Sequence, residues 1–155
     1  MRNLQSIALR EVVLSTKRAK IYIIAIEPYE IKKSEIKKLQ IGDLIDLGSK
    51  KPQIYIYRNG IVVGQAKFGL DENKEVVMVL AKERMSNQGK PRPKSVVLDG
   101  RVATLKKSDF IVGKITKLPD GSVKNIMLFA NDKLFALASL VQDATGYYYR
   151  IEEIL

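Results

Sequence analysis

Apolar and polar residues alternate along much of this chain, which is the pattern of strands that bury one face. The clearest case is Gln53–Arg58, where Ile54 and Ile56 occupy one set of alternate positions. Asn59–Gly60 follows, and this dipeptide is the preferred sequence of a two-residue hairpin turn. Ile61–Phe68 is therefore predicted to be the return strand of a hairpin.

Other apolar segments predict further strands, and one segment in which apolar residues recur among charges predicts a short helix. The predicted strands are Val12–Leu14, Lys20–Glu27 (stopped by Pro28), Gly42–Leu47 and Glu75–Leu80, and the predicted helix is Ile31–Gln40. The chain is thus expected to be mainly β, with one or two short helices.

The second half of the sequence repeats the first. Ile31–Ile36 recurs 74 positions later as Leu105–Phe110, and Gly42 recurs 71 positions later as Gly113. The predicted hairpin recurs 72 positions later, with Asn131 in the place of Asn59. Matching order and residue class over some forty positions favour tandem duplication over a chance match of common hydrophobes.

A segment between the two halves lacks the alternating pattern. Residues 82–94 contain Pro91, Pro93, a glycine and many charges, and are predicted to form a basic linker. The expected organisation is a first unit at 1–81, the linker at 82–94 and a second unit at 95–155. Residues 96–105 leave little room for a first strand in the second unit. A unit of this size is near the lower limit for a stable core, so the two would gain by packing together.

Composition excludes several kinds of chemistry. The 155 residues include no cysteine and no histidine, so disulfides, thiolate or imidazole metal sites and histidine acid–base catalysis are ruled out. Lysine and arginine number 27 against 17 acids, for a net charge of +10. This surplus indicates an acidic partner such as nucleic acid, an anionic membrane surface or an acidic protein, or else a well-solvated lysine-rich surface.

The N-terminal residues do not resemble a signal peptide, and no segment resembles a membrane span. The longest apolar run, Ile21–Ile26, is far too short to cross a bilayer. We therefore expect a cytoplasmic protein without a membrane span.

Carboxylates offer the only plausible catalytic cluster, and it is a weak one. Asp43 and Asp46 have the wrong spacing to share a strand face, and Asp71–Glu72 with Glu75 has the composition of a turn. The glycines match neither a phosphate-binding loop nor a dinucleotide-binding loop. The sequence predicts no enzyme and no cofactor.

A basic face with aromatic rings would suit single-stranded nucleic acid. Tyr55 and Tyr57 lie on the strand face opposite Ile54, and Arg58 is adjacent. The same tyrosines could instead pack between the repeats, and this interpretation is favoured because Phe129 takes the place of Tyr57 in the second half.

Four segments carry a resemblance to a known family. Gly42–Leu47 and Gln53–Ala66, with Asn131–Ala138 followed by Tyr149–Ile154 in the second half, resemble the surface presentation of antigens (SPOA) domain. This domain occurs in flagellar motor-switch proteins and in cytoplasmic-ring proteins of type III secretion. Its pattern gives structural roles to the turn positions Gly42, Asn59, Gly60, Gly113 and Asn131. Asn131 departs from the pattern because Asp132 follows it where the pattern has glycine.

The resemblance implies intertwined β units that exchange strands around a shared core, here as a homo-oligomer or as a pair within one chain. It also implies a non-enzymatic scaffold that docks the export-ATPase regulator and other ring proteins. The implied docking positions are Phe68 and Leu70 in the first unit and Leu140 and Val141 in the second. Core packing is the competing role for Phe68 and Leu140, so Leu70 and Val141 are the stronger candidates. The alternative function is a basic β-barrel module that binds RNA or single-stranded DNA.

Overall fold

A computed structural model of the chain describes residues 21–71, 74–82 and 92–155. Within these ranges the chain forms ten strands, one short helix and two single turns of 3-10 helix at Lys107–Asp109 and Ser122–Lys124. The helix, α1, is Lys33–Lys37. The strands are β1 (Tyr22–Lys32), β2 (Leu44–Gly48), β3 (Ile54–Arg58), β4 (Ile61–Asp71), β5 (Lys74–Lys82), β6 (Ser95–Leu105), β7 (Ile115–Lys117), β8 (Ile126–Ala130), β9 (Lys133–Asp143) and β10 (Gly146–Ile154). The predicted mainly-β class with few short helices is confirmed.

The ten strands of the described residues form one sheet. Their order is β2-β10-β9-β8-β6-β1-β3-β4-β5-β7. Each of the nine neighbouring pairs is antiparallel.

The order of strands is symmetric about the central β1–β6 pair. Strands that are five places apart in the chain occupy equivalent positions on the two sides of the sheet. For example, β1 and β6 are the central pair, and β2 and β7 are the two edges. As a result β2 does not pair with β3, β4 or β5, the strands that follow it in the chain, but with β10. In the same way β7 pairs with β5. Each half of the chain thus contributes the outermost strand on the other half's side of the sheet.

Irregularities in the strand ladders recur with the spacing of the sequence repeat. The β3–β4 pair shifts register after Ile56, and the β8–β9 pair shifts after Leu128, 72 positions later. Bulges bend a strand and increase its twist. The two hairpins therefore deviate from a regular ladder at equivalent places.

The main hydrophobic core lies on one face of the sheet. In β3, Ile54 and Ile56 are buried while Tyr55 and Tyr57 are only partly buried, as period-two alternation requires. The central strand β8 differs, because Ile126–Phe129 are all buried. A second cluster on the other face explains this: Met127 and Phe129 pack there with Ile23 and Leu137.

The predicted asparagine turns join the expected strands. Asn59 and Gly60 have φ angles of 54° and 76° between β3 and β4, and Asn131 and Asp132 have 49° and 65° between β8 and β9. Two consecutive left-handed residues give the twist that a tight hairpin needs. Asn131 is further held by its side-chain oxygen, which accepts the Val97 amide at 3.0 Å.

Several predicted boundaries were wrong. The first described strand does not stop at Pro28 but runs to Lys32. Proline is tolerated there because β1 and β6 shift register between Ile26 and Tyr29, where no regular ladder bond is lost. The predicted helix Ile31–Gln40 shrinks to Lys33–Lys37.

The second half has room for its first strand, contrary to expectation. β6 covers eleven residues, Ser95–Leu105, and pairs with β1 over most of its length. The strand predicted at Val12–Leu14 lies outside the described residues, and the unit boundaries at 1–81, 82–94 and 95–155 stay predictions. None of the helices in the described ranges has the length and apolarity to cross a membrane.

Candidate interaction surfaces

The implied docking positions fall into two kinds. Phe68 on β4 and Leu140 on β9 are partly buried and pack against the main core. Val141 is the next residue on β9, so its side chain points to the opposite face, where it is partly exposed. The Leu70 backbone pairs with Glu75 of β5, and its side chain lies outside the described part of the chain.

The two sets of docking positions lie on strands that are not neighbours in the sheet. β4 and β9 are separated in the sheet by β3, β1, β6 and β8. The docking positions therefore lie on two separate strands, one in each half of the sheet.

Among the described residues, the most exposed large apolar side chains cluster at the two edges of the sheet, where the sequence had suggested no docking position. Ile41 is 69% exposed just before β2, and Val112 is 54% exposed just before β7. Leu44 of β2 and Ile115 of β7 are also more than half exposed. The repeat contained the signal, since an apolar residue precedes both Gly42 and Gly113.

Gly42 and Gly113 fix the approach of these edge strands. Their φ angles are 91° and 85°, in the left-handed region that favours glycine. The Gly42 amide donates to the carbonyl of Ile151 and the Gly113 amide to that of Val79, both at 2.7 Å. Each glycine thus starts an edge strand on the far half of the sheet.

The candidate catalytic carboxylates at the β2 edge hold backbone amides. Asp43 Oδ2 accepts the Gln40 amide at 2.8 Å, and Asp46 Oδ1 accepts the Gly48 amide at 2.7 Å. Glu75 similarly accepts the Ser122 amide at 2.6 Å. Within the described ranges, no three side chains of His, Cys, Asp or Glu are close enough together to hold a metal ion.

The tyrosines of the nucleic-acid hypothesis do not form an open platform. Tyr55 and Tyr57 are partly buried, with ring centroids 6.4 Å apart and planes tilted by 60°. Tyr57 packs against the second hydrophobic cluster, and burial raises the pKa of its phenol, with the Asp99 carboxylate adding to the shift. Arg58 donates from Nη1 to the Tyr22 hydroxyl at 3.1 Å, and its guanidinium lies 5.3 Å from the Tyr22 ring centre.

A largely buried ionic group lies on the same face and was not foreseen from the sequence. Arg101 contacts Asp132 at 2.7 Å and Asp99 at 3.3 Å, and its guanidinium stacks 3.9 Å from the centre of the Phe129 ring. Burial raises the pKa of the Asp99 carboxyl although Arg101 opposes the shift. These contacts join β6 to the β8–β9 turn and place the Arg101 guanidinium on the Phe129 ring of the second cluster.

Neither a family model nor a curated protein matches this chain. Interpretation of its function therefore depends on its own residues and geometry.

Proposed function

We propose that this chain is a non-enzymatic scaffold of a flagellar motor switch or of a type III secretion cytoplasmic ring. In this role it docks other proteins of the export apparatus, among them the export-ATPase regulator, and acts in the cytoplasm. A scaffold of this kind needs a rigid β framework with accessible surfaces and does not need a catalytic centre.

The single observation that supports it most is the reciprocal exchange of β2 and β7. β2 pairs with β10 and β7 pairs with β5, so the outer strands of the sheet join residues from opposite halves of the chain. An intertwined pair of β units is what the SPOA resemblance implies. The segments that carry the resemblance include all of β3 and more than half of each of β2, β4, β9 and β10.

Val141 is the described position best suited to contact a partner. It is partly exposed, apolar and on the face opposite Leu140, which is occupied by core contacts. Apolar side chains on an accessible sheet face are common anchors of protein interfaces. In the first half, Gly69 has the corresponding place in β4, 72 positions earlier, and Leu70 is the residue that follows it.

Titration calorimetry with a peptide from the N-terminal segment of the export-ATPase regulator tests the proposal. We expect binding by the unaltered chain and at least roughly tenfold weaker binding by Val141→Asp, because a carboxylate cannot replace an apolar anchor. Ile61→Asp is the matched control, since Ile61 is an exposed apolar residue at the distant β3–β4 turn. No binding by the unaltered chain, or equal loss in both variants, would contradict the docking role.

Binding to RNA or single-stranded DNA is the competing function, and the net charge of +10 favours it. Such binding would weaken steeply with added salt because counterion release dominates phosphate contacts. Fluorescence anisotropy with a labelled oligonucleotide at low and high salt distinguishes the two. Absence of binding at low salt would eliminate the nucleic-acid function and leave the scaffold function unaffected.

A further inference from the structure

The sheet ends in two strands that each have a neighbour on only one side among the described residues, β2 and β7. At β7 the Leu118 amide donates to the Glu75 carbonyl at 2.8 Å, so the residue pairs that share hydrogen bonds are Leu118 with Glu75 and then Thr116 with Val77. The backbone N–H and C=O groups of Ile115 and Lys117 consequently point away from β5. An edge of this kind is a template for a further strand.

We propose that copies of this chain associate head to tail, with strand β2 of one copy adding to strand β7 of the next. The inference deepens the scaffold function proposed above and rests on it, since it identifies the contact through which a scaffold would extend. The occupant of each edge is a second copy of this chain.

The direction of the strands suits this arrangement. Because all nine neighbouring pairs in the ten-stranded sheet are antiparallel, the first and last strands run in opposite directions. A second copy placed in the same orientation therefore brings its β2 antiparallel to β7. The alternation of strand directions continues across the contact without any rearrangement.

Side chains of β2 divide cleanly between the two faces. Ile45 is buried in the main core and Leu47 packs against it. Leu44 and Asp46 point the other way and are exposed. The outer face of this edge thus presents one apolar and one acidic side chain.

β7 presents the same arrangement with the opposite charge. The Thr116 hydroxyl is buried, as is Leu118 just beyond the strand, whereas Ile115 and Lys117 are exposed. In the sequence repeat, Ile115 takes the place of Leu44 and Lys117 the place of Asp46, 71 positions later.

Charge favours the pairing of β2 with β7 over the pairing of β2 with β2 or of β7 with β7. When β2 meets β7, Asp46 and Lys117 lie on one face as direct or diagonal neighbours, and Leu44 can contact Ile115. Two β7 edges would bring Lys117 side chains together, and two β2 edges would bring Asp46 side chains together. Like charges on facing strands disfavour both. A contact between unlike edges can repeat, so the product is a ring or a filament and not a closed dimer.

Sedimentation velocity over a range of concentrations at low salt tests the proposal on the full chain. We expect the average mass to rise with concentration beyond that of a dimer. Asp46→Lys and Lys117→Asp should each weaken association roughly tenfold, because each brings like charges together. Lys67→Asp, which makes the same charge change on the exposed face of the interior strand β4, is the control and should associate like the unaltered chain.

A mixture of the Asp46→Lys and Lys117→Asp chains gives the decisive measurement. In an equimolar mixture each contact between an Asp46→Lys chain and a Lys117→Asp chain again joins opposite charges, so association should recover. A chain that stays monomeric at all concentrations, a mass that stops at a dimer, or a mixture that does not recover would overturn the proposal. The weakly associating Lys117→Asp chain can still be tested against the regulator peptide, so failure of self-association and failure of partner docking are distinguishable.

Discussion

At Gly100 the backbone of β6 lies against the phenol of Tyr149 and has no space for a side chain. A Cβ atom there would lie 2.5 Å from the Tyr149 hydroxyl oxygen and 2.8 Å from a methyl carbon of Ile126. Both neighbours are fully buried, so neither can move away without disturbing the core.

Gly100→Ala should therefore lower the free energy of unfolding by about 1–3 kcal/mol, the usual cost of overpacking. Gly69→Ala is the control, because a Cβ at Gly69 would have no neighbour within 4 Å. We expect that variant to differ from the unaltered chain by no more than about 0.5 kcal/mol in urea unfolding. Equal effects of the two substitutions would show that the contact with Tyr149 does not constrain the core.

Asp99 makes the stability of the protein depend on pH in a defined direction. Burial raises the pKa of this carboxyl above its ordinary value of 3.8 in the folded chain. The folded state then binds the proton more tightly than the unfolded state does. The resulting stabilisation is complete below pH 3.8 and is lost as the pH rises through the raised pKa.

Asp99→Asn removes this titration and leaves Arg101 its contact with Asp132 at 2.7 Å. The stability of the unaltered chain relative to the variant should be greatest in acid and should fall as the pH increases. Urea unfolding of both proteins from about pH 3 to about pH 7 measures the difference. A difference that grew with pH would mean that the ion pair with Arg101 outweighs burial.

At the scale of elements, the short edge strand β2 contacts the hydrophobic core through the side chains on only one of its faces. Ile45 is 5% exposed and lies in the main core, whereas its neighbour Leu44 is 52% exposed. The two residues pair with Tyr149 and Arg150 of β10.

Ile45→Ala should cost about 2–5 kcal/mol of unfolding free energy, the range for truncating a buried isoleucine. Leu44→Ala, one position along the same strand, should stay within about 0.5 kcal/mol. Chemical denaturation of the two variants gives both values. Similar costs would indicate that β2 is not anchored through its inner face.

Elements with local signals could be predicted from the sequence. The β3–β4 hairpin follows from alternating residues on either side of Asn59–Gly60, since both signals lie within a few residues of the turn. The continuation of β1 past Pro28 could not be predicted from the sequence, because it depends on a register shift against β6, about seventy residues away. The predicted helix began too early, at Ile31, for a related reason. Ile31 belongs to β1, where it is buried and pairs with Val96.

At the scale of the whole molecule, the repeat indicated that two halves would pack but not which strands would pair. Nothing local to Leu44–Gly48 distinguishes β10 from β5 as its neighbour. The choice depends on how the two halves close around a shared core, and the structure shows β2 on β10. The largely buried ionic group of Asp99, Arg101 and Asp132 was missed because Asp132 is distant from the other two residues in the sequence.

The absence of native cysteines permits a direct test of the strand exchange. Leu44 and Arg150 are partners across the β2–β10 pair, and cross-strand partners lie within the span of a disulfide. Met78 is the residue 72 positions before Arg150, so it would face Leu44 if β2 remained beside β5. Two double-cysteine chains therefore separate the exchanged arrangement from the unexchanged one.

The measurement is oxidation of dilute Leu44→Cys/Arg150→Cys and Leu44→Cys/Met78→Cys chains, followed by non-reducing electrophoresis and mass spectrometry of the linked peptides. We predict that the first chain forms a disulfide within a single molecule and that the second remains reduced. A disulfide within the second chain and none within the first, or linkage of the first chain only between molecules, would contradict the account.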